Sequence, residues 1–268
     1  MRAALLTEYR KIVTTRLWWI LLGSMFVYLL GIGAVMVWSL SMSNAAGTGG
    51  GSSVKLLGVD LAALVYSIGA TIGSVFPLVV GTLSVTSEFR SQTITPTFLA
   101  EPRRGVVLTA KFLANAVMGA VFGIVATVAT AGGAAAVFKL RGDPTFLGDP
   151  EIRRILLGSI IALTVWALMG VALGAVLPNQ IAAVVVILGF TQLLEPVLRL
   201  ILGAIKATEG VAPYLPGAAA DAIVGRSLYT VGSTVHLLGR PAGLAIMLGY
   251  VLVLGVIGRF TTFRRDIT

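Results

Sequence analysis

The chain has 268 residues, 57% apolar and only 12% charged, with a net charge of +9. A soluble domain carries about a quarter charged residues to solvate its surface, so half that share points to a bilayer as the main solvent. Cysteine is absent and histidine occurs once, which argues against a disulfide framework, a thiol nucleophile and a zinc site. The basic residues sit mostly in short segments between apolar runs, where topology signals and lipid headgroups place them, so nucleic acid is not the expected partner.

In chain order, the segment 2–16 comes first. Leu5, Tyr9, Ile12 and Val13 fall at helical spacing with Leu6 beside them, and Arg2, Glu8, Arg10 and Lys11 cluster elsewhere on the wheel. Two readings stand: an amphipathic helix in the membrane interface, with Arg10, Lys11 and Arg16 toward the headgroups, or a basic flank that only sets topology.

A membrane helix needs about 20 mostly apolar residues to cross roughly 30 Å of hydrocarbon. Windows 17–40, 61–85, 113–138, 155–177 and 181–202 meet that length, and 241–257 is shorter but uncharged. Such runs must be helices, because lipid leaves no partner for an unpaired backbone group. The expected fold is an all-α membrane protein of six spans in a single domain, 1–268. The first apolar core is too long for a cleaved signal, whose core runs about 7 to 15 residues, and is expected to stay as an anchor.

With both termini inside, the inner segments hold eleven Lys and Arg and the outer segments eight, leaving Arg199 within the fifth span. This bias favours cytoplasmic termini. The segment 43–53 reads as a flexible outer loop, and Pro178-Asn179 as a tight inner turn that makes the fourth and fifth spans antiparallel neighbours. The segment 207–239, broken by Pro213, Pro216 and glycines, reads as an outer segment able to dip back into the membrane.

Segment 86–111 is the longest inner loop and mixes charge with apolar residues. Glu88 and Arg90 end the second span, Thr93, Ile94, Phe98 and Leu99 follow, and Glu101, Pro102, Arg103, Arg104 and Lys111 lead into the third. Ile94, Phe98 and Leu99 lie near one helical face. That face would rest on lipid or dock a cytoplasmic partner.

Glu88-Phe89-Arg90, then Thr93, Pro102, Arg104 and Lys111, resemble the inner loop of ATP-binding cassette permeases of the type-2 export class. Gln92 stands where that family usually has Gly. The layout is also similar: amphipathic start, six spans, tight fourth-to-fifth turn, and an outer segment with Pro213-Tyr214-Leu215-Pro216-Gly217. The resemblance implies a cytoplasmic coupling helix between the second and third spans, seated in a groove of a separate ATPase. Glu88, Phe89, Arg90 and Thr93 would set its contacts, and Pro102, Arg103, Arg104 and Lys111 its return to the membrane. It also implies two ATPase subunits, a second copy or a similar permease, and a plasma-membrane location.

The chain has no G-x-x-x-x-G-K-[ST] loop, so ATP and Mg are expected on the partner, with no cofactor on this chain and no enzymatic activity of its own. The expected cargo is hydrophobic or amphipathic, as in multidrug efflux. The alternatives are a secondary transporter or a non-transporting assembly protein. Glu195 lies inside the fifth span with Arg199 four residues on, the favourable order for a helical ion pair. It reads as a self-neutralised pair near the outer end in preference to a substrate contact. Asp60 and Asp221 are expected at the interface, and Pro77 and Pro196 are expected to kink their helices.

Overall fold

The computed structural model describes residues 2–46, 58–205, 208–230 and 237–263, and no strand occurs among them. Lys55, Lys206, His236, Arg264, Arg265 and most of the outer loop expected over 43–53 lie outside the described residues. Six helical stretches are long and apolar enough to cross a membrane.

A short helix α1 (Arg2–Thr14) precedes the first span, α2 (Leu17–Ala46), which continues through the first residues of the expected loop. The second span is α3 (Val59–Gly73) followed by α4 (Val75–Arg90), broken at Ser74. Pro77 explains the break, since its ring removes the N–H that would bond the Gly73 carbonyl. After the seven-residue α5 (Ile94–Ala100) comes the third span, α6 (Arg104–Leu140), 37 residues long.

The fourth span, α7 (Pro150–Val176), is opened by Asp149, whose carboxylate accepts from Glu151 N at 2.7 Å. The fifth consists of α8 (Gln180–Leu188), a π-helical turn (Gly189–Leu194) and α9 (Glu195–Ala204). The wide turn sits just before Pro196, which has no N–H to return to the preceding turn. A short α10 (Pro216–Val224) and the sixth span, α11 (Arg240–Thr261), complete the bundle.

α7 is the hub, touching α3, α4, α6, α10 and α11. Small residues let the backbones approach. A Cβ on Gly170 would stand 2.9 Å from Thr82 N and one on Gly81 3.0 Å from Val171 N, and each would overlap a carbonyl oxygen of the facing helix, Leu78 O or Ala167 O. That is the small-residue packing by which membrane helices associate without a hydrophobic drive between them. Pro178 and Asn179 do make a tight turn, yet α8 leans mainly on α4 and much less on α7. The best spanning window of the fifth span is only 17% buried, against 67% for the fourth, so its apolar flank is left uncovered.

Residues 217 to 224 of α10 are all buried, packed on α3, α7 and α11. The segment between the last two spans therefore folds back into the bundle.

Candidate functional site

One end of the bundle gathers α1, the end of α4, α5 and the start of α6. At its centre Lys111, with no exposed surface, meets Glu8 at 3.2 Å and is also paired with Glu88. The ammonium donates to Ser84 O at 3.0 Å as well. Lys11 donates to Glu88 at 2.7 Å and to Glu8 at 3.0 Å. Two lysines thus balance two carboxylates, as burial of charge requires. Asn115 donates to Ser84 Oγ at 2.9 Å and extends the network up α6.

The cluster explains why α6 begins well before its apolar window. A charged Lys111 is tolerated within the helix because its partners are already there. It also decides how α1 lies. Glu8 and Lys11 turn toward the bundle, whereas Leu6 and Tyr9 are exposed, 54% and 63%. Arg10 and Arg16 are exposed. Burial works against the Lys11 ammonium, but the hydrogen bond and charge of Glu88, with the charge of Glu8, outweigh it and hold its pKa above the ordinary 10.5.

α5 is fixed by an aromatic cluster. Phe263, just after α11, is buried and meets the rings of Phe89 and Phe98 edge-on at 6.0 and 5.7 Å. Arg104 lies over Phe98 at 5.1 Å and donates to Phe263 O at 2.7 Å. Ile94 is buried, but Leu99 is 79% exposed. The inward face is therefore Ile94 and Phe98, and Leu99 departs from the expected common face. At i+5 it stands roughly 140° around the helix from Ile94, toward the outer edge.

Thr93, Pro102 and Arg103 are exposed with Leu99, and Arg103 is held by Glu101 at 2.9 Å. Exposed Arg90 reaches Gln180 Oε1 at 3.4 Å. Gln92 adopts φ +56°, the left-handed region that favours glycine,. The turn that the resemblance assigns to Gly is thus kept by a strained Gln. Of the residues singled out in this loop, Glu88 and Lys111 are internal braces, Phe89 and Arg104 fix α5, and Arg90, Thr93, Pro102 and Arg103 remain at the surface.

Beside the Lys11–Glu88 pair lies a cavity of about 650 Å³ between α1, α2, α4 and α6. Glu8, Glu88 and Asn115 are among its polar lining residues, and Leu21, Val80 and Met118 among its apolar ones.

A second buried charge cluster occupies the other end of the bundle. Arg199 donates to Glu195 Oε1 from Nη2 at 2.8 Å and to Asp221 Oδ2 from Nη1 at 2.8 Å. Asp221 is only 3% exposed, so it is an internal partner and not the interfacial residue expected. The Glu195–Arg199 pair is accordingly one side of a three-membered cluster. Ser227 Oγ donates to Asp221 at 2.6 Å, Thr71 Oγ1 donates to it at 3.1 Å, and Gly217 N donates to Glu195 Oε1 at 2.5 Å. Asp60 pairs with Arg226 at 2.6 Å, with both side chains partly exposed. Only α10, whose return into the bundle has no periodic signal, brings Asp221 to Arg199.

No protein-family model matches this chain, and no curated protein does. Among the described residues no group of acidic side chains and histidine is placed to hold a metal ion.

Proposed function

We propose that the chain is the membrane-spanning permease subunit of an ATP-driven exporter resembling the type-2 ATP-binding cassette class. It would work with two cytoplasmic ATPase subunits and a second permease, in the plasma membrane with both termini inside. The observation that carries this reading is α5. It stands outside the spans, fixed to three of them by Phe89, Phe98, Phe263 and Arg104, while Leu99, Pro102 and Arg103 face away from the bundle.

A short element that is rigid on one side and uncovered on the other is suited to receive a push. The uncovered side offers an apolar knob and a cation to a partner. Lys11 ties α1 to the same unit through Glu88, so a displacement of α5 is passed to α1, α4 and α6 together. The uncovered flank of the fifth span suits a second permease or lipid. The cavity beside Glu88 is within the ~300–1,000 Å³ range of small-molecule pockets and is lined by both polar and apolar side chains, in keeping with a hydrophobic or amphipathic cargo.

A secondary transporter is the second reading, favoured by the interrupted fifth span and its buried Glu195,. Affinity purification of the tagged chain from its own cells distinguishes the two. An ATPase should co-purify, with ATP turnover that falls at least tenfold in Leu99→Asp or Arg103→Glu while the permease still inserts. Labelling of position 99 from outside intact cells would overturn the exporter reading, because no cytoplasmic ATPase could then touch α5.

A further inference from the structure

The cluster at the far end of the bundle contains two carboxylates and one guanidinium. Glu195, Arg199 and Asp221 are 2%, 9% and 3% exposed. Among the described residues the cluster keeps one negative charge in excess, and an unbalanced buried charge is costly unless something neutralises it. The charged groups nearby are spent elsewhere: Arg226 on Asp60 at 2.6 Å, and Arg240 on Glu151 at 2.7 Å. The facing positions Thr71 of α3, Ser74 at the break, and Ala162 and Trp166 of α7 carry no charge, and Tyr229 lies under the Arg199 guanidinium at 5.0 Å.

All three hydrogen bonds to Glu195 fall on Oε1. Oε2 accepts none among the described residues, although the side chain is almost wholly buried and lines a cavity of about 80 Å³. The π-helical turn opens this space by displacing Thr191 and Gln192 from the regular ladder, and both residues line it. Such turns recur at functional sites. Ala70, Ile72, Ala162, Trp166, Ala220 and Val224 give it an apolar wall. A cavity needs only about 10–15 Å³ of such space to hold one water, so this one has room for an ammonium group and its first carbons.

We propose that this cavity is a binding site for one organic ammonium group, bound on Glu195 Oε2 and Thr191 Oγ1 with Trp166 alongside. A guest of charge +1 neutralises the cluster without disturbing the Arg199 bonds. The apolar and aromatic wall suits a carbon-bearing cation, which gains from ring contact. The site does not depend on what drives the chain, so loss of the exporter reading would leave it standing.

The test uses the full chain in detergent with Trp18, Trp19 and Trp38 replaced by Phe, leaving Trp166 as the only indole. Ethylammonium chloride is titrated against sodium chloride at constant ionic strength. The expected result is a saturable change in Trp166 emission with ethylammonium, absent with sodium. It should weaken at least tenfold in Glu195→Gln and several-fold in Thr191→Val, an isosteric change that leaves every Arg199 bond in place. The proposal is overturned if ethylammonium gives no saturable change, if sodium gives the same change, or if Thr191→Val binds as tightly as the parent. Should Glu195→Gln fail to fold, the Thr191→Val and sodium comparisons still decide.

Discussion

Lys11 of α1 and Glu88 at the end of α4, 77 positions apart in sequence, meet at 2.7 Å over the buried Lys111. Through this contact the N-terminal helix is tied to the bundle.

Removing the Glu88 charge should therefore be severe. Glu88→Gln leaves Lys111 with Glu8 as its one carboxylate partner among the described residues, and breaking a buried pair costs about 3–5 kcal/mol. The double change Glu88→Gln with Lys111→Met should recover much of that loss. Thermal unfolding in detergent measures both, and an unaffected single variant would remove the cluster from its bracing role.

The Lys11 ammonium gives a pH signature. Its pKa is raised above 10.5 in the folded chain, Glu88 and Glu8 overcoming the opposing effect of burial. A raised folded value means that the contribution to docking is full below the unfolded pKa, about 10.4, and is lost as pH rises through the folded value. The chain has no cysteine, so Leu6→Cys accepts a single nitroxide. Its mobility should stay constant from pH 6 to 10 and rise above about 10.5. A rise between pH 6 and 8 would contradict this pairing.

Glycines in the α4–α7 crossing should separate from those in open space. Gly81→Ala and Gly170→Ala place a methyl against a facing backbone and should cost about 1–3 kcal/mol,. Gly23→Ala and Gly249→Ala meet nothing within 4 Å and should be neutral or slightly stabilising. Melting temperatures of the four variants check the contrast.

Phe263→Ala should free α5. The ring is buried between Phe89 and Phe98, and such truncations cost about 3–5 kcal/mol in a packed core. Limited proteolysis near Arg103 should accelerate. Gln92→Gly should act the other way, because it relieves a left-handed residue by about 1 kcal/mol,.

Much of the skeleton was legible in the chain. Twenty or so apolar residues in a row can only be a helix in lipid, and the positions of the spans follow from that alone. The start of α7 at Asp149-Pro150 lies ahead of the apolar window that opens at 155, and it carries a local signal, a capping Asp before Pro, that hydropathy alone passes over,. The ends of the spans were less legible, since hydropathy stops at a charge and a helix need not. α6 passes through Lys111 because Glu8 and Glu88 are waiting for it.

The sites divide in the same way. Glu195 and Arg199 could be paired from their spacing, but Asp221 is placed by α10, whose dip into the bundle has no periodic signal. Gly217 shows the dependence most plainly. A Cβ there would stand 2.7 Å from Glu195 Oε1 and would also overlap Arg199 Nη2, a constraint invisible until both segments are in position.

By itself, then, the sequence determined that there are six apolar spans and where most of them lie, because those follow from local backbone chemistry and the solvent. Only the tertiary structure decided which charges meet. A buried ion pair depends on groups brought within about 4 Å from distant segments, and no local pattern encodes that approach.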